Sequence, residues 1–380
     1  MDVLLNEEEV ALRDELRRFL TVECTPALVR QAERDTAHHV PALWRKMGEL
    51  GWIGIALPER DGGQGLALTM LGLLFEEAGR CLAPVPVHSS LVVAQVLSVF
   101  GDERQREWVR RVARGEAVLS YAVQGPGGQW TVDGAGLRGR RVAHGWELDG
   151  TRICVDNFAI SDRCLVLFED ERGAVKAALV DPCATGIRRD TLVTMAKDGQ
   201  ERARFERVAV AESDIIAGGP ALARALCDLA SLTMAAQLAG AARRDMEMAV
   251  EHAKMRLAFE QPIGSFQVLQ HMMVDMLLAV DGVDLLTREA FWRMAQGLPA
   301  SVQASQAKSF ASDRCVVVAR GSQQIHGGMG FMLEFDLQLW YRRIGAWALR
   351  CGTPIEHRRL VARALLDRPG RLRLASPLEA

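Results

Sequence analysis

The run Arg256-Leu257-Ala258-Phe259-Glu260-Gln261-Pro262-Ile263-Gly264-Ser265-Phe266-Gln267 sets a guanidinium beside a chain reversal and a fresh helix start. A helix that ends near Phe259 and restarts at Ser265 brings Arg256 and Gln267 to one end of a hairpin. Arginine can hold a pyrophosphate through two parallel hydrogen bonds, and a helix start offers backbone N–H groups that no carbonyl has claimed. The chemistry on offer is recognition of a phosphorylated ligand, although a solvated arginine beside an ordinary turn has the same spacing. A second run, Gln323-Gln324-Ile325-His326-Gly327-Gly328-Met329-Gly330-Phe331, ends a helix in a glycine-rich loop. Glycine lets a ligand approach the main chain closely; a simple glycine cap has the same composition. His326 alone reads as a structural histidine and not a proton donor.

These runs need elements to position them, and the chain changes texture twice along its 380 residues. Up to about residue 115 the spacing is helical: Leu12, Leu16, Phe19 and Leu20 repeat on one face, and a turn-rich loop at 58–65 precedes apolar helices near 66–78, 89–100 and 104–112. Between 116 and 218, short β-prone runs at 118–123, 146–148, 153–155, 164–168, 177–180 and 202–210 suggest a small antiparallel barrel or sandwich. Gly218-Gly219-Pro220 reads as a hinge, after which long helices over 226–259, 266–296, 301–320 and 335–349 suggest an antiparallel bundle. The expected fold is α+β and mostly α, with an N-terminal helical domain (1–115), a middle β-barrel or sandwich domain (116–218), a C-terminal four-helix bundle (219–366) and a frayed tail (367–380).

The composition is 49% hydrophobic and 25% charged, with a formal net charge of −2. Interspersed charges give no footprint for nucleic acid or a membrane surface. Eight cysteines, none in a C-x-x-C pair, suggest neither a zinc ribbon nor a disulfide framework. No metal is expected. The acidic start, Glu7-Glu8-Glu9, is unlike a targeting peptide, and no apolar run reads as long enough to span a bilayer, so the expectation is a cytoplasmic protein with reduced thiols.

Taken together, R-x-x-F-x-x-P-I-G-S-F-Q and Q-x-x-G-G-x-G resemble the acyl-CoA dehydrogenase family, and Pro58-Glu59-Arg60-Asp61-Gly62-Gly63-Gln64-Gly65 is similar to its P-E-x-x-G-G-x-G segment. The resemblance extends over nearly the whole chain and includes the helical–β–helical layout. It implies FAD as cofactor, an acyl-CoA as substrate and a flavoprotein as electron acceptor. It also implies that Arg256, Phe259, Phe266 and Gln267 contact the FAD of a neighbouring subunit, while Gln324, Gly327 and Gly328 hold its adenine and pyrophosphate part.

The family removes the α-proton of an acyl-CoA with a glutamate that precedes a Gly-Thr pair, and a desolvated carboxylate with a raised pKa suits that work. Twenty-four residues after Gly327, that place holds Cys351, in Arg350-Cys351-Gly352-Thr353. The family's alternative place, immediately before an arginine on the first long C-terminal helix, falls at Ala230-Ser231. Asp228 is turned about 200° away from Ala230 on a helix. A thiol with a pKa of about 8.5 stays protonated in an apolar pocket, so Cys351 reads as a small filler. The Y-x-x-T-E-P run has become Tyr121-Ala122-Val123-Gln124-Gly125-Pro126, and the W-I-T segment Cys154-Val155-Asp156, so the groups that cradle the flavin ring are eroded as well.

A kept dinucleotide arm without a base resembles the small subunits of heteromeric bacterial acyl-CoA dehydrogenases, known from steroid side-chain and dicarboxylic acid breakdown. Glu334-Phe335-Asp336-Leu337-Gln338-Leu339-Trp340-Tyr341-Arg342-Arg343, Gly352-Thr353-Pro354-Ile355-Glu356-His357-Arg358 and Glu77-Ala78-Gly79-Arg80-Cys81-Leu82-Ala83-Pro84 are similar to theirs. The resemblance implies a second, glutamate-bearing subunit in an α2β2 assembly. Two other readings stay open: a homo-oligomer with hydratase-like or other non-standard chemistry, and a structural subunit that has lost the cofactor.

Overall fold

The structure is a computed structural model that describes residues 4–130 and 132–367; most of the tail expected to fray, 368–380, lies outside the described residues. The described chain forms two compact units, one drawn from Met1–Val29, Leu68–Ala83 and Ser231–Ala380, the other from Arg30–Ala67 and Pro84–Ala230.

The second unit is built on a sheet of eight strands: β1 (Leu119–Ala122), β2 (Leu137–Val142), β3 (Gly145–Asp156), β4 (Arg163–Asp170), β5 (Val175–Val180), β6 (Ile187–Thr191), β7 (Gln200–Ala211) and β8 (Ile215–Ile216). Their order is β6-β7-β3-β2-β4-β5-β8, with β1 on β4. The sheet is mixed: β1 and β2 both pair parallel with β4, and the other ladders are antiparallel. Strand β7 alternates inward Ala203 and Phe205 with exposed neighbours, slips one place at Arg207 (φ 51°), and resumes with Val208 and Val210 inward. Arg207 N donates to Asp149 Oδ1 at 2.8 Å, which fixes the slip.

Phe168 is fully buried and stands edge-on to Trp146, ring centres 5.5 Å apart. A Cβ on Gly139 would collide with that ring, which is why β2 carries glycine there. Phe168→Ala would cost about 3–5 kcal/mol. Helix Glu103–Ala113 is started by a capping box between Asp102 and Gln105, and the Gln105 side chain then donates to Ser213 O and Ile215 O beside β8.

The first unit is helical. Helix Glu7–Glu23 starts on a capping box between Asn6 and Glu9, and helix Pro354–Leu366 on one between Thr353 and Glu356. Helix Leu68–Arg80 lies against the part of helix Gly219–Met255 that belongs to this unit, and Gly79 and Gly240 let the two backbones touch: a Cβ at Gly79 would collide with Gln237 and one at Gly240 with Glu76. Helices Gln267–Ala295, Ser301–His326 and Leu337–Trp347 complete the bundle.

The expectation that no apolar run could span a bilayer is corrected by helix Gly219–Met255, which passes by length and composition because Asp228 is its one charge between Arg224 and Arg243. Since 89% of that apolar stretch is buried inside the protein, it behaves as a core helix.

Candidate cofactor and base sites

In the first unit the long helix stops at Met255, four residues before the expected end. Leu257–Ala258 and Gln261–Pro262 then pair antiparallel across a two-residue turn, Phe259 and Glu260, both left-handed (φ 53° and 65°). The reversal is therefore a β-hairpin. Ile263 N donates to Arg256 O at 2.8 Å, so the chain returns to the helix end before the next helix starts at Gln267. Phe259 is 89% exposed, edge-on to Phe266 with ring centres 6.1 Å apart, and Arg256 and Gln267 are also exposed.

Helix Ser301–His326 ends at Gly327 (φ 62°, ψ −143°), and a Cβ on Gly327 or Gly328 would meet nothing within 4 Å. Gln324 is exposed one turn earlier. His326 Nδ1 lies 2.8 Å from Ser322 O, an acceptor only, so Nδ1 carries the proton. The ring stacks on His252 at 4.4 Å and meets Phe335 at 5.3 Å. Burial lowers both histidines from the usual value, His252 further through His326 and Arg256, so both imidazoles are neutral near pH 7. Because His252 sits one turn before Arg256 and His326 adjoins Gly327, the stack ties the two sequence runs into one exposed corner. His252 was not among the expected residues; its place four before Arg256 was the available signal.

Cys351 is buried and left-handed (φ 52°). Its carbonyl accepts from Ser231 Oγ at 3.1 Å and from His357 Nε2 at 2.7 Å. Beneath this loop Lys308 is completely buried, donating from Nζ to Ser312 Oγ (2.6 Å), Ala348 O (3.2 Å) and Gly352 O (3.2 Å), and burial brings its pKa down to about 8. Burial and the nearby Lys308 charge bring His357 down to about 4. The carboxylate nearest along the chain, Glu356, accepts from Thr353 N and Oγ in the helix cap. The loop is thus held at its backbone, with Cys351 itself buried.

Ala230 belongs to the second unit and is fully buried. His88 Nε2 lies 3.0 Å from Ala230 O and must carry the proton there, which leaves Nδ1 to accept from Tyr121 Oη at 3.3 Å. Trp130 stands edge-on to Tyr121, ring centres 6.2 Å apart. This aromatic cluster was missed from sequence, although a histidine in the apolar run 87–100 was a hint. Asp156 accepts from Gln200 Nε2 at 2.7 Å, so its carboxylate is engaged within the sheet. Arg152, also fully buried, donates to the carbonyls of Val123 (2.8 Å), Ala135 (2.5 Å), Gly134 (2.7 Å) and Leu167, and burial lowers it to about 10. One cation thereby fastens the main chain at Val123 to that at Gly134 and Ala135.

Comparison with known proteins matches residues 6–116 to the acyl-CoA dehydrogenase N-terminal domain and 218–366 to the acyl-CoA dehydrogenase C-terminal domain. Acyl-CoA dehydrogenase FadE27 of Mycobacterium tuberculosis is 28% identical over 379 residues, covering 97% of this chain and 100% of that one. The ChsE4-ChsE5 complex from Mycobacterium tuberculosis contains a similar chain, with a TM-score of 0.92 and 26% identity over 97% of this chain and 100% of that one. A variant of the Tcur3481-Tcur3483 steroid ACAD gives a TM-score of 0.88 and 26% identity over 94% of this chain and 97% of that one.

Proposed function

Because the chain belongs to the acyl-CoA dehydrogenase family, we propose that it is an FAD-binding subunit of a heteromeric acyl-CoA dehydrogenase, completing the site of a second chain that carries the catalytic glutamate. The observation that carries this reading is the pairing of an intact, exposed arm with a base position held by Cys351 on a backbone-locked loop. The exposed guanidinium of Arg256 suits a pyrophosphate, the open space over Gly327 and Gly328 admits a ligand to the main chain, and Phe259 offers an uncovered aromatic face. Arg256, Phe259, Phe266, Gln267, Gln324, Gly327 and Gly328 would hold the dinucleotide of the neighbouring chain. Bound FAD would supply the hydride acceptor, and the partner's glutamate the base for the α-proton.

The likeness to a two-chain complex and to a protein named as a steroid ACAD supports a heteromeric assembly acting on a bulky, ring-bearing acyl-CoA; the α2β2 stoichiometry, a separate flavoprotein as electron acceptor and a cytoplasmic location are part of the same proposal.

The test is to express the chain alone and with a glutamate-bearing partner, then measure flavin per chain and acyl-CoA-dependent bleaching. Flavin at one per pair, appearing with activity only on co-expression, is the expected outcome. Steady reduction of FAD by the lone chain sinks the proposal.

A further inference from the structure

Cys24 and Cys81 are 57 residues apart in sequence but share one corner of the first unit. Cys24 closes helix Glu7–Glu23, and its Sγ donates to Cys81 O at 3.2 Å. Cys81 follows helix Leu68–Arg80, its Sγ 3.3 Å from Glu77 O, and Leu82 turns left-handed (φ 54°) just beyond. The neighbouring Cys24 thiol together with burial raises Cys81 well above the usual thiol value. Cys24 is buried and Cys81 partly exposed, so an oxidant reaches Cys81 first.

We propose that Cys24 and Cys81 form a redox-sensitive dithiol that closes to a disulfide and fastens the N-terminal helix to helix Leu68–Arg80. With glutathione disulfide as oxidant, the Cys81 thiolate attacks one sulfur and releases one glutathione thiolate. The Cys24 thiolate then attacks Cys81 Sγ and expels the second. Two thiol protons leave, two electrons pass to glutathione, and one disulfide replaces another.

The junction it would lock is already a crossing point. Arg17 on the N-terminal helix pairs with Glu77, Arg80 pairs with Glu247, and Arg80 O accepts from Trp340 Nε1 at 2.9 Å. The same N-terminal segment lays Leu4, Leu5 and Glu9 over a pocket walled by Leu73, Phe291 and Trp292. Oxidation therefore sets how firmly that cover stays seated. Because Cys81, the first thiol to attack, is scarce as thiolate, closure accelerates as pH rises.

The experiment treats the native protein with glutathione disulfide at pH 7 and pH 8.5, blocks residual thiols and maps the tryptic peptides. The exposed Cys183 serves as the reagent control. The expected result is a Cys24–Cys81 crosslinked peptide that forms faster at pH 8.5, with a mass loss of two hydrogens. Tm should rise by ~3–6 °C, reversed by dithiothreitol and absent in Cys24→Ser and Cys81→Ser alike. A Cys183 adduct without the crosslink, a stable glutathione adduct left on Cys81, or a crosslink that needs denaturant each overturns the proposal.

Discussion

Cys351 stands where a glutamate would act, yet what surrounds it is a set of donors aimed at its backbone: Ser231 Oγ and His357 Nε2 on its carbonyl, with Lys308 Nζ on Gly352 O. In the co-expressed complex Cys351→Ser should therefore keep kcat within about twofold, whereas loss of a general base costs about 10²–10⁴; steady-state turnover distinguishes the two. Arg256→Gln should weaken FAD binding by about 10–100-fold, the weight of a charge-assisted bond, measured by flavin fluorescence. His357 supplies a pH test. Its folded pKa of about 4 lies below the unfolded 6.5, so its contribution is complete above pH 6.5 and is lost as pH falls towards 4. That loss is at most about 3 kcal/mol. His357→Gln should flatten this part of the stability curve in urea titrations at stepped pH. Cys351 was reached from sequence through the resemblance, whose Gly-Thr spacing this chain keeps. The His88–Tyr121 contact could not be, because partners 33 residues apart meet only after folding.

At the scale of elements, the long helices announced themselves through apolar spacing, while the sheet was only partly legible. Strands β2 (Leu-Arg-Gly-Arg-Arg-Val) and β6 (Ile-Arg-Arg-Asp-Thr) were not expected, since arginines dilute the alternation and pairing with β3, β4 or β7 supplies what local pattern lacks. Strand β3 read as two runs because register shifts after Leu148 and Arg152 interrupt its period, yet it is continuous over twelve residues. The hairpin at Phe259-Glu260 was hidden too, as neither residue type favours the left-handed region that both occupy. Glu260→Gly should remove about 1 kcal/mol of backbone strain and raise Tm while leaving flavin content unchanged. Phe259→Gly should relieve similar strain but lower flavin retention. Calorimetry beside flavin absorbance separates the two effects.

Across the whole molecule, exposed apolar side chains gather in the bundle unit, with Leu257, Phe259, Val268, Leu278, Phe331 and Leu333 each more than 60% exposed. So much uncovered surface fits a chain that works in company. Sedimentation should find the lone chain self-associating and the co-expressed pair as one discrete species. In the other unit Arg152 holds the carbonyls of Val123, Gly134, Ala135 and Leu167, at both ends of one loop. A post shared by both ends of a segment cannot fail for one end alone. Replacing Arg152 with leucine should release amide exchange at 124–130 and 132–136 in one step, turning a graded set of protection factors into a common rate.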